Sequence, residues 1–282
     1  MELLKDRILD LLAKYRKEKT GIVGTAVVLA FVVLALLAPF ISPYSPFLMS
    51  PERLAAPSIG HLMGTDDAGR DVFSQFLYGV RISLLIGVLS AAISGIIGTI
   101  VGAISGFYGG RIDYILMRIT DSFMVIPRFF LALVIVAMFG TNFWNLVFVI
   151  GILSWPSSAR LLRAQFLSIK ELQFVEAARA MGASNFNIMW DEILPNAFSP
   201  VVVDVTLEIG FAILLESELS FLGLGDPNLW SWGYMIYSGQ AYLLISPWLV
   251  FFPGLGISLV VIAFSLIGDS LNKILNPRFK LG

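Results

Sequence analysis

The chain has 282 residues, 57% of them hydrophobic and only 14% charged, with a formal net charge of −1 at pH 7 and a mean hydropathy of +0.83. That is too little polar surface to coat water-soluble domains of ordinary composition, so the chain belongs in a bilayer, and its near-neutral charge gives no electrostatic footprint for nucleic acid. With no cysteine and a single histidine, His61, disulfides, thiolate sites and multi-histidine metal centres are excluded.

Six runs approach the roughly 20 apolar residues a helix needs to cross the hydrocarbon core: about 21–41, 82–106, 113–138, 143–162, 201–222 and 247–268. They predict an all-α integral membrane protein with six transmembrane helices. The first run follows a basic leader (Lys14, Arg16, Lys17, Lys19) and ends in LLAPFISPYSP, which has no small-residue cleavage pattern. It therefore reads as a membrane anchor after a cytoplasmic segment 1–20 rather than as a cleaved signal. An extracytoplasmic segment, 42–81, comes next and is rich in Pro, Gly and polar residues; His61 reads there as a hydrogen-bonding loop residue.

The second span carries Ser83, Gly87, Ala91 and Gly95 at intervals of four, then Gly98, Gly102 and Gly106 in a shifted stripe. Small residues so spaced let another helix approach closely, and packing within the subunit is the favoured reading. The third span holds Asp121, with Arg118 one turn away and able to pair with it, and Arg128. In the fifth, Asp204, Glu208, Glu216 and Glu218 sit within or at the end of the run. Glu208 has no basic residue within a turn, so it needs a partner on another helix or a wet pathway. Glu208, Glu216 and Asp121 are accordingly the candidates for lining a translocation pathway. No residues present themselves as catalytic.

Between the fourth and fifth spans lies a mixed-charge segment, 163–200. Phe166, Ile169, Leu172, Val175, Ala178 and Met181 recur every three residues, predicting one amphipathic surface helix over 163–181 in which Glu176 and Arg179 can pair. Gly182 then permits a sharp turn. Ser184 is placed to cap a second helix carrying Phe186, Met189, Trp190 and Ile193 on one face, and Pro195 and Pro200 punctuate its end. The segment 223–246, with Trp230, Trp232, Tyr234, Tyr237 and Tyr242, reads as an interfacial aromatic cluster, with lining of the gate as the sharper alternative.

Orientation follows from the rule that basic loops stay cytoplasmic. With the N-terminus inside, cytoplasmic segments collect Lys5, Arg7, Lys14, Arg16, Lys17, Lys19, Arg111, Arg160, Arg163, Lys170, Arg179, Lys273, Arg278 and Lys280. External segments hold only Arg53, Arg70 and Arg81. Both termini, including the tail 269–282, are thus expected in the cytoplasm, as is the segment 163–200.

Glu176, Ala177, Ala178, Gly182, Leu194 and Pro195 match the EAA motif of ABC-importer permeases, although Glu192 stands where the family pattern has isoleucine and Ile193 comes one place later. HLMGTDDAGRDVFSQFLYGVRISL (61–84), GFYGGRIDYILMRITDSFMVIP (106–127), ESELSFLGLG (216–225), SWGYMIYSGQAYLL (231–244) and PWLVFFPGLGISLVVIAFSLIGDSLNKILNPR (247–278) extend the match. From about residue 20 onward the chain resembles the second permease subunit of the dipeptide, oligopeptide and nickel subfamily.

The resemblance implies a type I importer permease fold with cytoplasmic coupling helices and a core over 82–268. It also implies residence in the cytoplasmic membrane of a prokaryote, in contact with lipid, beside a sister permease subunit. Two cytoplasmic ATPases would hold the ATP and magnesium, leaving this chain without a cofactor, and an extracytoplasmic solute-binding protein would deliver cargo. The ATPase-coupling residues would be Glu176, Ala177, Ala178, Gly182, Phe186, Met189, Trp190, Leu194 and Pro195. The absence of a G-x-x-x-x-G-K-[ST] phosphate loop agrees with that division of labour. An ion-driven secondary transporter is the alternative, but its paired broken helices in two related halves are not evident. An intramembrane enzyme lacks its nucleophile, base or metal cluster.

Overall fold

Apolar runs of this length satisfy their backbone groups in lipid only as helices. The computed structural model describes residues 13–275, which form helices and one isolated bridge between Thr65 and Asp71; Lys5, Arg7, Arg278 and Lys280 lie outside that range. In chain order the helices are α1 (Lys19–Ile41), α2 (Val72–Tyr108), α3 (Gly110–Val125), α4 (Arg128–Phe139), α5 (Phe143–Ser154) and α6 (Pro156–Ile169). There follow α7 (Gln173–Ala180), α8 (Asn185–Ala197), α9 (Ser199–Leu219), α10 (Trp232–Gly239) and α11 (Trp248–Leu275).

Four stretches are long and apolar enough to cross a membrane: α1, α2, Phe143–Ile169 (α5 and α6 end to end) and α11. Two bent pairs bring the number to six if each is one span: α3 with α4, bent by 86°, and α8 with Ser199–Leu224, bent by 63°. The expected third span is therefore not one straight helix. Pro127 drives Ile126 out of the helical region to φ −85°, ψ 126°, the ordinary steric effect of a proline on its predecessor.

The second span also starts earlier than its apolar run suggests. Asp71 caps α2 by accepting a hydrogen bond from the Ser74 backbone N–H at 2.7 Å, and the helix runs 37 residues from there, about 55 Å. Such a helix overshoots a hydrocarbon core of ~30 Å at one or both ends.

α2 is the central post, and its two glycine stripes face different partners within the chain. A Cβ on Gly87 would stand 2.7 Å from Ile213, and one on Gly95 2.7 Å from Val205, both on α9. On Gly98, Gly102 and Gly106 it would stand 2.5 to 2.6 Å from Ser158, Ala159 and Phe166 of α6. The small residues thus serve close packing inside the subunit.

At the N-terminal end of α2, Val72, Phe76 and Val80 pack with Phe31, Trp230, Trp232 and Met235. Near its C-terminal end, Ala103 packs with Leu162, Phe166 and residues of α7 and α8. The two segments therefore sit at opposite ends of the post. α1 and α11 run antiparallel, with Lys273 Nζ 3.9 Å from Glu18 Oε2, so both ends of the described chain lie on one side.

Candidate functional site: a two-helix knob and a polar seam

The segment 163–200 is not the single surface helix and bend that its periodicity suggests. α6 carries the fourth span on to Ile169, and the chain then breaks at Lys170–Leu172, where Leu172 is extended (ψ 147°), before α7 begins. A three-residue apolar period runs through both helices because each turns the same kind of face inward, so periodicity alone cannot reveal the break. Phe166, Ile169, Val175 and Ala178 are buried as expected, whereas Leu172 and Met181 are exposed.

Gly182 occupies the left-handed region at φ +85°, and the Ala183 N–H donates to the Ala178 carbonyl across the turn at 3.1 Å. Ser184 caps α8 by accepting from the Asn187 N–H at 3.2 Å. α8 widens into i→i+5 turns over Ile188–Ile193. Ile188, Met189, Ile193 and Ala197 are buried with Val175 and Ala178 against α2 and α6.

The knob's inner face is committed to this chain, and its outer face is open. Glu176, Ala177, Gly182 and Pro195 are exposed, and Phe186 is 66% exposed. Among the expected coupling residues, Ala178 and Met189 belong to the knob's own core, with Trp190 and Leu194 packed partly against it. Among the described residues Glu176 and Arg179 form no ion pair.

The charges within the spans form layers along α5–α6, the first two where α4 and the antiparallel α9 meet it and the others where α3 meets α6. In one layer, Arg128 Nη1 donates to Glu208 Oε1 at 2.6 Å and to Ser154 Oγ at 2.9 Å. One turn away, Ser157 and Ser158 donate to Asp204 Oδ2 at 3.2 and 2.5 Å. Further along, Arg160 pairs with Asp121 at 2.6 Å, and Arg163 takes both oxygens of Asp113 at 2.5 and 2.6 Å, beside a short hydrogen bond from Ser105 to Asp113.

Glu208 thus has its partner on another helix. The expected Arg118–Asp121 pair does not form; Arg118 lies over the Tyr114 ring, 5.5 Å from its centroid, and Arg160 takes Asp121 instead. Glu216 is 1% exposed and is held by hydroxyls, with Ser220 and Ser231 donating to Oε1 at 2.6 and 2.7 Å.

At the other end of α2, residues 42–71 fold into an ordered platform. Asp66 accepts from Arg70 Nε at 2.6 Å and Gln75 Nε2 at 2.7 Å, and His61 Nδ1 lies 2.8 Å from Asp71 Oδ1. His61 is the loop hydrogen-bonding residue its setting suggested. Trp232 is fully buried, stacked on Phe76 with ring centroids 5.4 Å apart, and Trp230 is buried too. These two therefore form core rather than the expected interfacial belt; no sequence signal separates an aromatic at the headgroups from one under a cap.

Residues 98–281 match the family model for the binding-protein-dependent transport system inner membrane component, and residues 9–57 match the N-terminal TM domain of oligopeptide transport permease C. The chain is 39% identical over 267 residues to the dipeptide transport system permease protein DppC of Alkalihalophilus pseudofirmus, covering 94% of this chain and 88% of that one. It is 37% identical to the glutathione transport system permease protein GsiD of Pectobacterium atrosepticum, covering 95% of this chain and 90% of that one. A DppC of Bacillus subtilis is also 37% identical, with 96% and 86% covered. The chain belongs to the family of inner membrane components of binding-protein-dependent transport systems: it is a multi-pass permease component, not an enzyme, and carries no cofactor of its own.

Proposed function

We propose that this chain is one half of the translocation pathway of an ATP-driven importer of short peptides or a related solute, driven through the knob α7–α8. In this reading the knob lies in the cytoplasm and seats in a partner ATPase. A sister permease completes the pathway, and an extracytoplasmic binding protein docks over 42–81. Both termini are cytoplasmic. The supporting observation is the division of the knob into an inner face buried against α2 and α6 and an outer face, with Glu176, Ala177 and Phe186, that nothing among the described residues covers.

A partner that moves the outer face moves the ends of α2 and α6 with it, because interiors packed this closely shift as units. Two discrete arrangements of the spans, biased from inside by the ATPase state and from outside by the loaded binding protein, then give alternating access. Peptide cargo is supported by the relatives described as dipeptide and glutathione transport permeases.

The test is reconstitution of the chain with its sister permease, ATPases and binding protein in liposomes, following a labelled dipeptide. Accumulation that needs both ATP and the binding protein supports the reading. Gradient-driven uptake by this chain alone overturns it.

A further inference from the structure

Where Arg128 of α4 meets the seam between α5–α6 and α9, hydrogen-bonding capacity of opposite charge is left unused among the described residues. Arg128 engages Glu208 and Ser154 through Nη1 alone. Among the described residues its Nε and Nη2, the paired donors on the side-on edge of the guanidinium, meet no acceptor, and the side chain is 37% exposed while that of Glu208 is only 6% exposed. Asp204 takes both serine hydroxyls on Oδ2, and its Oδ1 has no partner among the described residues. Asp204 and Glu208 are four residues apart on α9, as are Ser158 and Ser154 on the facing span, so the Asp204 layer is offset from the Arg128–Glu208 layer by one turn, about 6 Å along α9.

Depth sharpens the point. Ser154 closes a 12-residue helix, about 18 Å along its span, and Glu208 stands midway along the 21 residues of α9. Arg128 begins α4 at the 86° break. Unsatisfied donors and broken backbone persist at such depth only where they are buried in protein or border water. Arg128 is 37% exposed in this chain, so its free edge is open to water, to a ligand or to a neighbouring subunit. A planar pair of donors matches a carboxylate, and a free carboxylate oxygen one turn away matches an ammonium.

We propose that Arg128 and Asp204 form a transit site for zwitterionic short peptides, Arg128 holding the cargo carboxylate and Asp204 its amino group, with Glu208 fixing the guanidinium. The proposal rests on the peptide reading given above. Glu208 and Asp204 carry the neighbouring negative charges of the seam; Glu208 is paired with Arg128 through Oε1, which leaves Asp204 as the acid without a cationic partner among the described residues.

The chain has no cysteine of its own, so Ile126→Cys, beside the break, gives a local probe in the fully assembled complex. Its reaction is followed with an anionic and a cationic methanethiosulfonate of similar size. The anionic reagent should react at least about fivefold more slowly after Arg128→Gln, and the cationic one at least about fivefold more slowly after Asp204→Asn, for the loss of one nearby charge in a low-dielectric path. Arg128→Gln/Glu208→Gln, which removes the ion pair whole, must still slow the anionic reagent relative to the wild type, though by less than the single variant. In uptake of Ala-Phe the same double variant should raise KM about tenfold or more.

Unchanged reagent ratios overturn the transit site, the outcome expected if a sister-subunit carboxylate covers Arg128. An unchanged KM overturns it as well. If the charge-dependent ratios appear but the wild-type complex takes up no peptide, the peptide reading falls and the paired edges serve another zwitterion.

Discussion

Gly182 offers the sharpest perturbation of the knob, because its effect can be assigned to one cause. Its φ of +85° lies in the region that L side chains rarely adopt, and a Cβ built there meets nothing within 4 Å. The Cβ of Gly182→Val therefore meets no neighbour among the described residues. It adds only the cost of a left-handed backbone, about 1–2 kcal/mol for an ordinary residue and more for a β-branched one. That shifts the bent arrangement of α7 and α8 roughly 5- to 30-fold toward alternatives. Gly182→Asn, which tolerates this region better, should retain most of the function.

The assay is the yield of ATPase subunits that co-purify with the permease pair, together with the initial rate of ATP-driven uptake. Membrane insertion should be equal for all variants. Valine should lower both readouts several-fold and asparagine much less. If valine matches the wild type, or asparagine is as damaging as valine, the bend is not what seats the partner.

Gly102→Leu should lower the thermal midpoint of the solubilised complex, since its Cβ would lie 2.6 Å from the Ala159 carbonyl oxygen and overpacking of this kind costs about 1–3 kcal/mol. Gly254→Ala, with open space at its Cβ, is the control and should leave the midpoint unchanged. Asp71→Ala removes the α2 cap, a loss of about 0.5–2 kcal/mol, together with the acceptor of His61. A lower thermal midpoint that Asp71→Asn largely restores would confirm the capping role, and equal losses from both would refute it.

The spans and the glycine ridge were legible in the sequence because they depend on local regularities: run length, and small residues spaced by one helical turn. The Gly182 turn and the Ser184 cap were legible for the same reason. Interactions across the fold were not. Arg128 and Glu208 are 80 residues apart, and only the approach of α4 to α9 brings them together; the packing of α3 beside α6 diverts Asp121 from its neighbour Arg118 to Arg160. The break before α7 contains no glycine or proline, so nothing in residues 170–172 announces it. Trp232 looked interfacial because its sequence neighbourhood is aromatic, yet Phe31 of α1, Phe76 of α2 and Gly256 of α11 enclose it.

The central claim is that an ATPase seats on the knob's outer face, and Phe186 reports on it most directly. With Phe186→Cys as the chain's sole thiol, its rate of modification by a maleimide is measured for the permease pair alone and for the complex with its ATPases. A rate at least about tenfold slower in the complex is the expected result. Equal rates, in a complex that still takes up cargo, would contradict the account.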